Sequence, residues 1–181
     1  MAKSIKAITA ELADREAIRD CIYRVSRAVD RAEMDIWREC FWPEATDSHS
    51  GLYSGPMVDL LELALPFLGK FKATSHIITN VLIDIDGDFA KAESYTQAYH
   101  IQEEPEALNI IGTGRFLDRF ERRGDEWRLI NRNLVLDWFM NVPRGGEWSC
   151  PHFGHEISGQ RVPDDFSYRF FADGPKVETV L

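Results

Sequence analysis

Residues 112–141, GTGRFLDRFERRGDEWRLINRNLVLDWFMN, constrain the fold of this chain more than any other stretch. Two β-rich runs flank Arg123-Gly124-Asp125-Glu126, and Gly124 supplies the positive φ that a tight hairpin turn needs. A turn centred there places Phe120 near Leu129 and Leu117 near Arg132. In the second run Ile130, Arg132, Leu134, Leu136 and Trp138 share one face by strict alternation. All but Arg132 are large and apolar, so that face is expected to be buried. A guanidinium keeps its charge, so Arg132 must reach a carboxylate, a rim or a wet pocket.

The rest of the chain supplies helices first and strands second. A frayed lead over residues 1–8 precedes a helix capped by Asp14 or Thr9, with Ala17, Ile18, Cys21, Ile22, Val25, Ala28 and Val29 at helical spacing. Tyr23, Ser26 (or Arg27) and Asp30 flank this stripe. A short helix from Met34 to Phe41 closes at Trp42-Pro43, and Thr46–Tyr53 reads as a small strand or hairpin. Pro56 starts a third helix, which Pro66 kinks or ends. From His76 to Ile85 the chain reads as a strand, turned by Asp86-Gly87-Asp88 into a second from Phe89 to Glu103. Three helices followed by a four-strand antiparallel meander predict an α+β fold with the helices on one face of a curved sheet. Residues 1–143 form the expected domain. Residues 144–181 are an irregular extension whose Trp148, Phe153, Phe166, Tyr168, Phe170 and Phe171 need cover from the domain or from a neighbouring subunit.

Composition removes several classes of function. Thirty acidic against 21 basic residues give a net charge of −9, the wrong sign for nucleic acid or an anionic membrane. No window could span a membrane, and the N-terminus carries no signal peptide, so a cytoplasmic protein is expected. Cys21, Cys40 and Cys150 are widely spaced and read as free thiols. Gly112-Thr113-Gly114 lacks the following helix of a dinucleotide site, and the His152/His155 pair has no acid or Cys at metal-ligand spacing. No cofactor and no metal are expected.

Three ionisable residues then stand on three elements: Asp30 ends the long helix, His76 opens the first long strand, and Arg132 lies inside the last. A carboxylate at a helix C-terminus opposes the helix dipole, so local energetics do not explain Asp30. Histidine is the natural general base near neutral pH, a carboxylate beside it fixes its tautomer, and a cation serves a developing anion.

The phrases LADREAIRDCIYRVSRAVDRAE, TSHIITNVLIDIDGDFAKAESYTQAYH and GRFLDRFERRGDEWRLINRNLVLDW resemble the SnoaL-like branch of the nuclear transport factor 2 superfamily, over about residues 11–141. That resemblance implies a cone-shaped α+β fold with a pocket between helices and sheet. Hexachlorocyclohexane dehydrochlorinases, bile-acid 7α-dehydratases and scytalone dehydratases of this branch share an Asp–His pair whose positions match Asp30 and His76. The dehydrochlorinase's pocket arginine matches Arg132, and Tyr23 stands where the dehydratases use a pocket tyrosine. The dehydrochlorinase's pocket lysine is absent here, its place taken by Val25 with Arg24 beside it, which favours loss of water over loss of halide.

The resulting expectation is a cofactor-independent, dehydratase-like lyase acting on a small hydrophobic cyclic substrate. Asp30, His76 and Arg132 are its catalytic candidates, and Tyr23, Trp42, Tyr95, Tyr99 and Trp138 its substrate-binding candidates. Isomerisation or ring closure would use the same parts. The alternative is a non-catalytic partner, such as a dioxygenase-type β subunit or a ligand-binding module. A homo-oligomer is expected, a trimer in preference to a dimer.

Overall fold

Helix α1 begins earlier than its apolar stripe suggests, because Ser4 caps it. The Ser4 hydroxyl accepts from the Ala7 amide at 3.2 Å, and the helix runs Ile5–Arg31. The expected cap Asp14 lies within α1 and accepts instead from the Trp127 indole at 2.9 Å. The computed structural model describes residues 4–49, 51–104, 108–143 and 159–172. Trp148, Cys150, Phe153 and the His152/His155 pair fall outside them. Ile18, Ile22 and Val25 are fully buried, each stabilising the fold by about 1.5–3 kcal/mol. Ala32 ends the helix at φ 57°, its amide bonding back to Ala28 and Val29.

Helix α2 (Met34–Glu39) stops two residues short of Phe41, which instead begins strand β1 (Phe41–His49). β2 (Tyr53–Pro56), α3 (Met57–Leu68), β3 (Phe71–Asp86), β4 (Phe89–Gln102), β5 (Asn109–Arg123), β6 (Glu126–Val142) and a short α4 (Phe166–Ala172) follow. Pro66 is accommodated inside α3. Gly87 and Gly124 take φ of 60° and 64° at the two hairpin turns, which a side chain would strain.

The sheet has six strands in the order β2-β1-β6-β5-β4-β3, so the expected four-strand meander is only part of it. β1 lies parallel to β6, with Asp47 beside Arg132. Such a pairing joins residues about 85 positions apart, which no local pattern announces. α1 and α3 cover one face of the curved sheet. Ala90 and Ala92 of β4, Phe120 of β5 and Leu129 of β6 complete the core with them.

Three bulges decide which side chains face those helices. Ile78 pairs with Thr96 but Val81 with Ser94, so one extra residue in β3 puts His76 and Ile78 on the same face as Ile83 and Ile85. In β6, Phe120 faces Leu129 while Arg119 faces Asn131, which leaves Ile130 in a bulge. Arg132 therefore pairs with Asp118 rather than Leu117. A third shift between Thr113 and Gly114 turns Trp138 to the outer face, where it pairs with Thr113.

Candidate active site

Asp30 and His76 are brought together although 46 residues separate them. The His76 backbone N–H donates to Asp30 Oδ2 at 2.8 Å, and His76 Nδ1 lies 2.7 Å from Asp30 Oδ1. Both side chains are largely buried, at 11% and 14% exposure. Burial alone raises the Asp30 pKa, but the hydrogen bonds and charge of His76 outweigh it and hold the carboxyl below its ordinary value. An ionised Asp30 can only accept, so Nδ1 of His76 is the donor, and in the neutral imidazole Nε2 is then the free base. The two-point grip also explains a carboxylate at the wrong end of a helix dipole, since the His76 amide and ring supply what the helix end cannot.

Around this pair lies a cavity of about 260 Å³, lined by Tyr23, Ser26, Arg27, Asp30, Arg31, His76 and Ile78. Tyr23 is the one expected substrate-binding residue found there. A larger depression of about 470 Å³, lined by residues such as Leu82, Lys91 and Leu117, lies mainly on the outer face of the sheet and away from the dyad. It offers no His–carboxylate pair, so the smaller cavity is the candidate site.

His100 was not anticipated. It faces Thr74 across the β3–β4 ladder, and its ring meets His76 edge to face at 5.2 Å, with Phe71 on another side at 4.9 Å. Burial first, and then His76, push its pKa down to about 4, so it stays neutral near neutral pH. Counting back from the Gly87 turn without the β3 bulge pairs His76 with Tyr99. The single extra residue hides His100 from sequence reasoning and moves Tyr99 away.

The other expected residues lie elsewhere. Tyr95 pairs with Arg115, Tyr99 with Ile111 and Trp138 with Thr113, all on the outer face. Trp42 sits near the β5–β6 turn, its indole donating to Glu121 O at 2.9 Å and its ring lying under Arg123 and Arg128. Arg132 is 3% exposed and held by Asp118 through two hydrogen bonds, Nε to Oδ1 at 2.8 Å and Nη2 to Oδ2 at 2.7 Å. Its guanidinium lies 4.1 Å from the Phe116 ring centre. Asp47, bonded to His49 Nδ1, stands beside it on β1. Burial disfavours the Arg132 charge, but Asp118 outweighs that and keeps it protonated. Arg132 is not among the residues that line the dyad's cavity. Arg132 thus belongs to a separate buried cluster. The guanidiniums lining the dyad's cavity are Arg27 and Arg31.

Fold and cavity together define an α+β cone with a small-molecule pocket between helices and sheet. The SnoaL-like domain profile matches residues 10–133, and the chain belongs to that family. Among solved structures, LinA matches at TM-score 0.70 and 24% identity over 78% of this chain and 97% of its own. The hexachlorocyclohexane dehydrochlorinase LinA-type3 of Novosphingobium barchaimii LL02 matches at 0.66 and 21%, over 78% and 97%. A protein of Novosphingobium aromaticivorans DSM 12444, provisionally described as a scytalone dehydratase, matches at 0.68 and 19%, over 77% and 99%. At these identities the likeness is one of fold. No curated protein sequence matches significantly.

Proposed function

We propose that this chain is a cofactor-independent lyase of dehydratase type, acting on a small cyclic alcohol. The observation that carries the reading is the two-point hydrogen bonding of Asp30 to the ring and backbone of His76. His76 Nε2 removes a proton from carbon next to a carbonyl or unsaturated group, and Asp30 orients the ring and stabilises the imidazolium that forms. The electron pair released at carbon expels the hydroxyl on the neighbouring carbon, whose oxygen needs a donor. Tyr23, Arg27 and Arg31 line the same cavity and are the candidates, in place of Arg132. A cavity of about 260 Å³ suits a substrate of one or two rings.

The proteins named above include a dehydrochlorinase and a provisional dehydratase, which makes elimination the reaction class to test first. The direct experiment presents wild type and His76→Ala with a panel of cyclic β-hydroxy ketones and halogenated rings, following alkene formation by absorbance and mass. Product from wild type alone supports the reading. Equal product from both, or binding without turnover, points instead to a ligand-binding protein.

Self-association through the outer face of the sheet is part of the same proposal. Ile77, Leu82, Tyr95, Leu117, Trp138 and Met140 are exposed on the outer face, and exposed apolar side chains on one face suit an interface between copies. Ile5, Ile8 and Leu12 are likewise exposed on the first turns of α1.

A further inference from the structure

The described part of the C-terminal extension is stitched to both elements that carry the dyad. The Val162 amide donates to Arg31 O at 3.0 Å, the carbonyl immediately after Asp30 and one of those a helix end leaves unpaired. Its neighbour Arg161 donates through Nη2 to Leu68 O at 2.8 Å and Phe71 O at 3.0 Å. Those carbonyls mark the end of α3 and the start of β3, five residues before His76. Two adjacent residues therefore bridge the Asp30 turn of α1 to the His76 end of β3.

A second anchor follows. Asp165, 6% exposed, accepts from the Gln160 amide at 2.9 Å, the Ser167 amide at 3.0 Å and the Ser167 hydroxyl, and pairs with Arg31 Nε at 3.4 Å. The Gln160 amide, then the Ser167 hydroxyl, hold its pKa down to about 2. Arg27 donates to Ser167 Oγ at 3.3 Å. Arg27 and Arg31, the two guanidiniums of the cavity, are thus both fixed from the same segment.

Apolar packing reaches this end of α1 through buried Ala28, with Val29 and Ala32 packed against the core, but such contacts carry no direction. A carboxylate orienting an imidazole must be held within about 0.5 Å. Directional bonds at the far end of the helix supply that constraint.

We infer that residues 161–167 form a positioning strap for the Asp30–His76 pair, with Arg161 and Asp165 as its anchors. The inference rests on the pair being functional, and both can be read from one signal. In ¹⁵N-histidine-labelled full-length protein, the His76 Nδ1 proton held by Asp30 should appear at low field and be lost in His76→Gln. Its exchange with water should accelerate at least tenfold in folded Arg161→Ala and in folded Asp165→Asn. Arg161→Lys, which can still donate to both carbonyls, should keep the wild-type rate.

Changes below tenfold in both folded variants overturn the strap and leave the dyad standing. A wild type without the low-field proton overturns the dyad, and the strap with it. If Arg161→Ala does not fold, Asp165→Asn decides alone, since it leaves the Arg161 bonds in place. Failure of both to fold also overturns the inference, because a strap that only positions leaves the core intact.

Discussion

Asp118 and Arg132 face each other across the β5–β6 ladder and join through two parallel hydrogen bonds, with exposures of 2% and 3%. Neither charge has water to fall back on. Removing one partner leaves the other buried and uncompensated, a loss of about 3–5 kcal/mol. Arg132→Met alone and Asp118→Leu alone should each lower stability by that amount in urea titrations. The double variant should recover most of it, because a well-packed apolar pair avoids the desolvation of two ions. Equal losses in all three variants would show that packing volume, not charge, is what the pair supplies.

His100 sets an acid limit on the fold. Its pKa falls from the ordinary 6.5 to about 4 in the folded chain, chiefly by burial and then through His76, with Asp30 pulling the other way. The unfolded chain therefore binds the extra proton first, so stability declines as pH falls from about 6.5 to about 4, by up to about 3 kcal/mol. His100→Phe keeps the ring contact with Phe71 and should flatten melting temperature over that window. Asp30 acts lower down: its depressed pKa contributes stability above the ordinary carboxylate range that is lost as pH falls through the folded value. A His100→Phe protein with an unchanged pH–stability curve contradicts this.

At Gly114 β5 leaves no room for a side chain against β6. A Cβ there would stand 2.6 Å from the Val135 carbonyl oxygen, which is backbone and cannot swing aside. Gly114→Ala should cost about 1–3 kcal/mol, as overpacking typically does. Gly112→Ala meets its nearest atoms at 3.2 Å and should cost less. Thermal melts of the two variants check the order.

The outer face makes a prediction about assembly. Light scattering at micromolar concentration should give a mass above one chain, a trimer in preference to a dimer. Trp138→Glu with Leu117→Glu, both on that face, should release monomers that keep their circular dichroism. A wild type that scatters as a monomer refutes it.

Much of the architecture was legible because local chemistry carries it. The α1 stripe follows from spacing, and the turns at Gly87 and Gly124 from a residue that tolerates positive φ. What failed to show was parity and distance. A bulge adds one residue and reverses every facing beyond it, yet leaves no compositional trace. The bulges at Ile78–Val81 and in β6 hid His100 and turned Trp138 outward. Tyr95 and Tyr99 could not be assigned a face without them. β1 joins β6 in parallel over a separation of about 85 residues, so Asp47 beside Arg132 was invisible. Asp30 and His76 stood out as ionisable residues on separate elements, the resemblance matched them as a pair, and their hydrogen bonds came only from the fold.

The central claim concerns His76. Turnover and melting temperature should be measured on the same preparations of wild type and His76→Ala, with whichever cyclic substrate wild type converts. A positioned general base contributes roughly 10²–10⁴-fold, so the rate should fall by that factor while the melting temperature moves by only a few degrees. A variant that keeps more than about a tenth of the wild-type rate, or whose rate falls only as far as its folded fraction, would contradict the account.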